Sequence, residues 1–149
     1  MRRRKSREFA LQILFALENQ SEGEFAPDPS SVPLAVSSYI TNFGPKNAEE
    51  VTDIPYLQRL VTGICAELDN IDQEIVRYSE HWKLYRMTKI DRNILRIGVE
   101  ELKNFKDIPS KVTLDECVEL AKRFGTEDSS AFINGILDKA RTLLGRTED

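Results

Sequence analysis

Five of the first seven residues are basic (Arg2, Arg3, Arg4, Lys5 and Arg7) and none of the seven is acidic. Guanidinium forks match phosphate oxygens and base edges better than a point-like ammonium does. The chemistry this cluster offers is therefore polyanion recognition. The rest of the chain works against it: 16 basic residues face 25 acidic ones, net −9, within a whole that stands at −4. An acidic body repels polyanions and confines such binding to the arm and whatever lies beside it. The opposing reading of the same residues is a solvated basic tail with no partner.

No catalytic constellation accompanies the arm. The glycines at 23, 44, 63, 98, 125, 135 and 145 are scattered and build no phosphate loop. His81, the only histidine, has neither a G-x-S-x-G nor a C-x-x-C context and reads as a surface residue beside Trp82. Cys65 and Cys117 lie 52 positions apart, whereas a zinc site needs about four ligands at recognisable spacing. Cys117 falls on an apolar helical stripe, where a thiol packs as a small hydrophobe. Glu100 and Glu101 are neighbours, and adjacent helical side chains diverge by about 100°, so they cannot share a substrate. The expectation is no enzyme, no metal and no cofactor.

Aromatic side chains are the other resource, because unpaired bases stack on them. Phe9 and Phe124 read as core by periodicity. Phe132 is ambiguous: it follows the turn Gly125–Ser130 in the first turn of a helix, so it is either core or a stacking surface.

The elements that must position these groups are helical throughout. Phe9, Ala10, Ile13, Leu14, Ala16 and Leu17 recur at helical spacing, so the basic cluster runs straight into an amphipathic helix. Arg3, Arg4 and Arg7 share a face if that helix reaches back far enough. Residues 21–33, rich in Pro, Ser and acids, form a flexible loop. A short helix over 34–43 ends at Gly44-Pro45. Asp53 and Pro55 then open a helical stretch to about Tyr78, as one helix or as two broken near Asp69-Asn70. Thr88 with Asp91, and Thr113 with Glu116, have capping-box spacing and open two more helices. Asp128, Ser129 or Ser130 caps the last. No segment alternates like a strand, and the connections are short enough for antiparallel neighbours. At 149 residues, the chain is expected to be one all-α domain. No run approaches the roughly 18 apolar residues a membrane span needs. Glu8, Gln12 and Glu18 interrupt the segment after the basic cluster, so no secretory leader is read there and a cytoplasmic protein is expected.

Two stretches carry a resemblance. RRRKSREFALQILF, and above all KIDRNILRIGVEEL with DIPSKVTLDECVELAKRFGTEDSSAFINGILDKA, are similar to the NusB family of bacterial transcription antitermination factors. The dense part covers 86–140 and the N-terminal part about 2–17; residues 20–55 match poorly. The resemblance implies a fold of two small antiparallel helical bundles, about six to seven helices in one unit. It implies binding to boxA-type single-stranded RNA of ribosomal RNA transcripts, as a heterodimer with NusE, a small-subunit ribosomal protein, on the way to RNA polymerase. It assigns RNA contact to Arg2, Arg3, Arg4, Lys5 and Arg7, and to Asp128 and Phe132 of the E-D-S-x-x-F turn. It assigns partner contact to Phe15, where some relatives have Tyr, and to Asp91, which also has the capping explanation. The rival reading is a homodimerising interaction module with an incidental basic tail; some NusB-like proteins self-associate when free of RNA. A third, part of a ribosomal RNA cytosine methyltransferase, needs a cofactor-binding domain that these residues do not contain.

Overall fold

The computed structural model describes residues 2–80 and 82–146; His81 lies outside the described residues. The chain divides into two units, Met1–Glu67 and Leu68–Asp149.

In the first unit, α1 (Arg2–Gln20) packs on α4 (Ile54–Ala66), and α2 (Val32–Phe43) packs on the same helix. α1 contains no Gly or Pro and buries Phe9, Ala10, Leu11, Ile13 and Leu14. These meet a core of Val32, Val36, Leu57, Leu60, Val61 and Ile64, each large side chain contributing about 1.5–3 kcal/mol by leaving water. α2 is two residues longer than the sequence suggests: Val32 and Pro33 join its first turn, where proline's missing N–H costs nothing. A single 3-10 turn, Pro29–Ser31, precedes it. Asp28 caps that turn by accepting the Ser30 N–H at 2.9 Å, and this bond holds its carboxyl below the usual carboxylate range. A four-residue helix, α3 (Ala48–Val51), links α2 to α4. Asp53 opens α4 as expected, its carboxylate accepting the Tyr56 N–H at 3.1 Å.

In the second unit, α5 (Leu68–Tyr78), α6 (Lys89–Asn104), α7 (Ser110–Phe124) and α8 (Ser129–Leu143) surround one core, with a 3-10 turn at Leu84–Arg86. α6 is central and buries nearly every side chain from Asn93 to Leu102. Its buried Arg96 forms a two-pronged pair with Asp72 of α5, at 2.8 and 3.0 Å. Gly98 lets α8 come close: a Cβ there would stand 2.6 Å from Leu137 Cδ1. Arg146, past the end of α8, donates to the Leu102 and Ile108 carbonyls at 2.7 Å each and closes the α6–α7 connection.

The all-α expectation holds among the described residues, with eight α-helices rather than six to seven. The surplus comes from α3, too short for periodicity to reveal, and from a break after Ala66 that separates α4 from α5. One capping assignment is overturned. α7 starts at Ser110, so Thr113 lies inside it, buried, and its hydroxyl donates to Glu101 on α6 at 2.8 Å. Pro109 restricts the chain just before and sets the start earlier. Asp128 stands at the N-cap of α8 but makes no side-chain capping bond; Ser129 Oγ accepts the Thr126 N–H at 2.9 Å instead. No described helix is long and apolar enough to cross a membrane.

Candidate nucleic-acid interface

The basic residues occupy the opening turns of α1, and the start of α4 holds them there. Asp53 is the hub. Besides capping α4, it lies 3.6 Å from the Arg3 guanidinium, and its N–H donates to Ser6 Oγ at 2.9 Å. Arg2 donates to the Thr52 carbonyl at 3.0 Å and to the Glu49 carbonyl at 3.3 Å. The ring of Tyr56 receives two guanidinium groups, Arg3 at 4.7 Å and Arg7 at 5.5 Å from its centroid. A cation over an aromatic face is worth about 0.5–2 kcal/mol, rising with desolvation. The arm is therefore a docked helical start, not a detached tail.

These contacts sort the five cations. Arg2 and Arg4 are exposed, Arg3 and Lys5 are half-exposed, and Arg7 is only 3% exposed. Lys5 pairs with Glu8 at 3.2 Å and lies over the Phe9 ring. The helix reaches back to Arg2, which meets the condition for Arg3, Arg4 and Arg7 to share a face, but that face is not evenly open. Tyr56 takes Arg3 and Arg7, and Arg7 is covered, while Arg4 remains open to solvent.

Phe15 lies further along α1, half-buried. In the second unit, Asp91 sits in the first turn of α6 at 8% exposure. Its N–H donates to Thr88 Oγ1 at 3.1 Å, so Thr88 caps the helix as the spacing predicts. Asp91 Oδ1, however, has no hydrogen-bond partner among the described residues. A buried acceptor left unmade costs about 1–3 kcal/mol. Asp128 is exposed at the turn before α8, and Phe132 is half-buried one helical turn later. Phe132 is thus neither core nor free: its ring meets Trp82 edge-on, centroids 5.7 Å apart and planes at 69°.

The catalytic candidates stay in the packing. Cys117 and Cys65 are buried thiols that form no disulfide, and Glu100 and Glu101 are buried, the former accepting from Asn104 at 3.0 Å. No group of metal-ligating side chains occurs among the described residues. Sequence reasoning missed Tyr56 and Trp82. Nothing local marks Tyr56, whose role depends on α1 and α4 meeting. Trp82 had a signal, since it opens a stretch in which rings and cations alternate.

The NusB family pattern matches residues 4–142 of the chain. Among curated relatives, the transcription antitermination protein NusB of Myxococcus xanthus is 41% identical over 144 residues, 97% of each chain. That of Sorangium cellulosum is 40% identical over 146 residues, 98% of this chain and 96% of its own. A solved T. maritima NusB, 36% identical, superposes with a TM-score of 0.76 over 95% of this chain and 92% of that one. A NusB solved with NusE and double-stranded RNA superposes with a TM-score of 0.73 over 95% of this chain and 96% of that one; at 24% identity that likeness is one of fold.

Proposed function

The chain belongs to the NusB family of transcription antitermination proteins, and from that premise we propose that it binds boxA-type single-stranded RNA of ribosomal RNA transcripts in the cytoplasm. In this reading it pairs with NusE, and the pair joins the antitermination complex on RNA polymerase. The family is one of transcription factors rather than enzymes.

The observation that carries the reading is the docked arm. Arg2, Arg3, Arg4 and Lys5 line the first turns of α1, anchored through Thr52, Asp53 and Tyr56. Preorganised cations spare a strand part of the ordering cost that a disordered arm would pay on binding. Arg7, covered and 5.5 Å from the Tyr56 ring centre, supports the arm from within rather than meeting the strand directly. Asp128 and Phe132 supply a second contact from the start of α8. Because the body is acidic, neither patch alone holds RNA tightly. A partner that binds RNA as well makes the second engagement intramolecular, which multiplies affinity without new contacts.

The proposed partner contacts are Phe15 in the first unit and Asp91 in the second. The unpartnered Oδ1 of Asp91 favours this assignment over a purely capping role, because a donor from a partner would satisfy it. Phe15 has no hydroxyl, so its share is packing alone.

A second reading, self-association when RNA is absent, is favoured by α2. That helix carries no charged residue and leaves Leu34 and Phe43, near its two ends, 73% exposed. Light scattering with and without RNA separates a dimer that RNA dissolves from one that ignores it.

The test of the main reading is anisotropy of end-labelled RNA with NusE present. BoxA-type RNA is expected to bind at least tenfold more tightly than a shuffled strand. Equal affinities would overturn the reading.

A further inference from the structure

Residues 82–92 invert the usual arrangement of a turn leading into a helix. Leu84 is half-buried and Met87 buried, while Trp82 is 52% and Tyr85 74% exposed, with Lys83 and Arg86 exposed between and beside them. The segment hides its aliphatic side chains and shows water its rings and cations. It contains four basic residues (Lys83, Arg86, Lys89 and Arg92) against one acid, Asp91, within a strongly acidic body. Arg92 is engaged locally, donating to the Met87 carbonyl at 3.0 Å. An indole left half in water forgoes much of the stabilisation its burial would bring, so packing alone does not account for it.

The ring geometry adds a direction. Trp82 and Phe132 meet edge-on, at 69°. A face-to-face stack would have used up both inner faces, whereas the edge-on pair leaves ring faces that it does not cover. Rings flanked by Lys and Arg match a strand whose bases are unpaired and whose backbone is anionic.

We propose that Trp82, braced by Phe132, is a stacking platform for one unpaired base of single-stranded RNA, with Lys83 and Arg86 taking the adjoining phosphates. This deepens the RNA-binding reading and rests on it. It extends the second unit's proposed contact at Asp128 and Phe132 to Trp82, Lys83 and Arg86, independent of the arm.

Trp82 is the only tryptophan in the chain, so its emission reports on this site and no other. In a titration of the full chain with a boxA-type oligoribonucleotide, emission should be quenched along the same curve that anisotropy of labelled RNA gives. Inorganic polyphosphate, which carries charge without bases, should leave emission unchanged. Trp82→Ala should weaken RNA binding about tenfold, and Trp82→Phe should keep most of it. Lys83→Gln with Arg86→Gln should reduce the steepness of the log–log salt dependence by about 1.4. If RNA binds with emission unchanged and Trp82→Ala binds as before, the platform is wrong and the arm stands. Quenching by NusE but not by RNA assigns the rings to a protein contact and overturns the proposal. If no RNA binds at all, both readings fall.

Discussion

Arg4 and Arg7 lie three positions apart in one basic cluster, yet the structure requires their replacement to fail in different ways. Each cation that meets phosphate on a single strand contributes about −0.7 to the slope of log affinity against log salt. With Arg2, Arg3, Arg4 and Lys5 at the surface and Arg7 covered, the arm contributes about −2.8, not the −3.5 or so that five contacts would give. Between about 50 and 200 mM salt, the arm's share of the affinity should therefore fall about 50-fold. Arg4→Gln should make the slope shallower by about 0.7 and lower thermal stability by less than Arg7→Gln does. Arg7→Gln should leave the slope alone and lower stability by about 1–2 kcal/mol, through the lost stacking on Tyr56 and the space left below it. Anisotropy of labelled RNA at a series of salt concentrations, with thermal melts of both variants, measures the two quantities. An Arg7→Gln variant that loses as much slope as Arg4→Gln does, with coinciding melting curves, would put Arg7 on the RNA and not beneath it.

Three further outcomes follow from the second unit. Arg96→Met should unfold readily, with a loss of about 3–5 kcal/mol in denaturant titrations, because Asp72 loses the partner that meets both its oxygens; double replacement with Asp72→Leu should recover part of it. Gly98→Ala should cost about 1–3 kcal/mol, since its Cβ must displace Leu137 at 2.6 Å, and a paired Leu137→Val should reduce the loss. Burial, reinforced by the Glu74 carboxylate that accepts its hydroxyl at 2.8 Å, pushes the Tyr78 phenol up to about 12. The folded state then holds that proton longer than the unfolded chain, so its contribution is full below about pH 10 and is lost as pH rises towards 12; phenolate absorbance set against stability checks it, and Tyr78→Phe should remove that part of the alkaline decline.

What could be read from the sequence was what is decided locally. Asp53 and Thr88 cap the helices they were expected to cap, because a side-chain oxygen at that position satisfies an N–H two or three residues on whatever the rest of the chain does. The apolar spacing of α1, α6 and α8 placed Phe9, Ile94, Ile133 and Leu137 in the core for the same reason. Thr113 shows the limit: its spacing to Glu116 mimics a cap, but its hydroxyl went to Glu101, twelve positions away and visible only once α6 and α7 pack. The site divides in the same way. The basic cluster was legible as charge, but the burial of Arg7 depends on Tyr56, far along the chain. Phe132 stayed undecided because periodicity says which face a ring is on, not which ring it meets; Trp82 settles that, and its alternation with Lys83, Tyr85 and Arg86 was a signal in plain sequence. The spare oxygen of Asp91 had no sequence signal at all.

In the proposed function this chain binds RNA and NusE together and to each other's benefit. The most direct measurement is the affinity for boxA-type RNA with and without saturating NusE, paired with the affinity for NusE with and without saturating RNA. Each ligand should tighten the other by one and the same factor, as binding linkage requires, and a shuffled strand should show no such factor. Coupling of unity, or equal coupling for boxA-type and shuffled RNA, would contradict it.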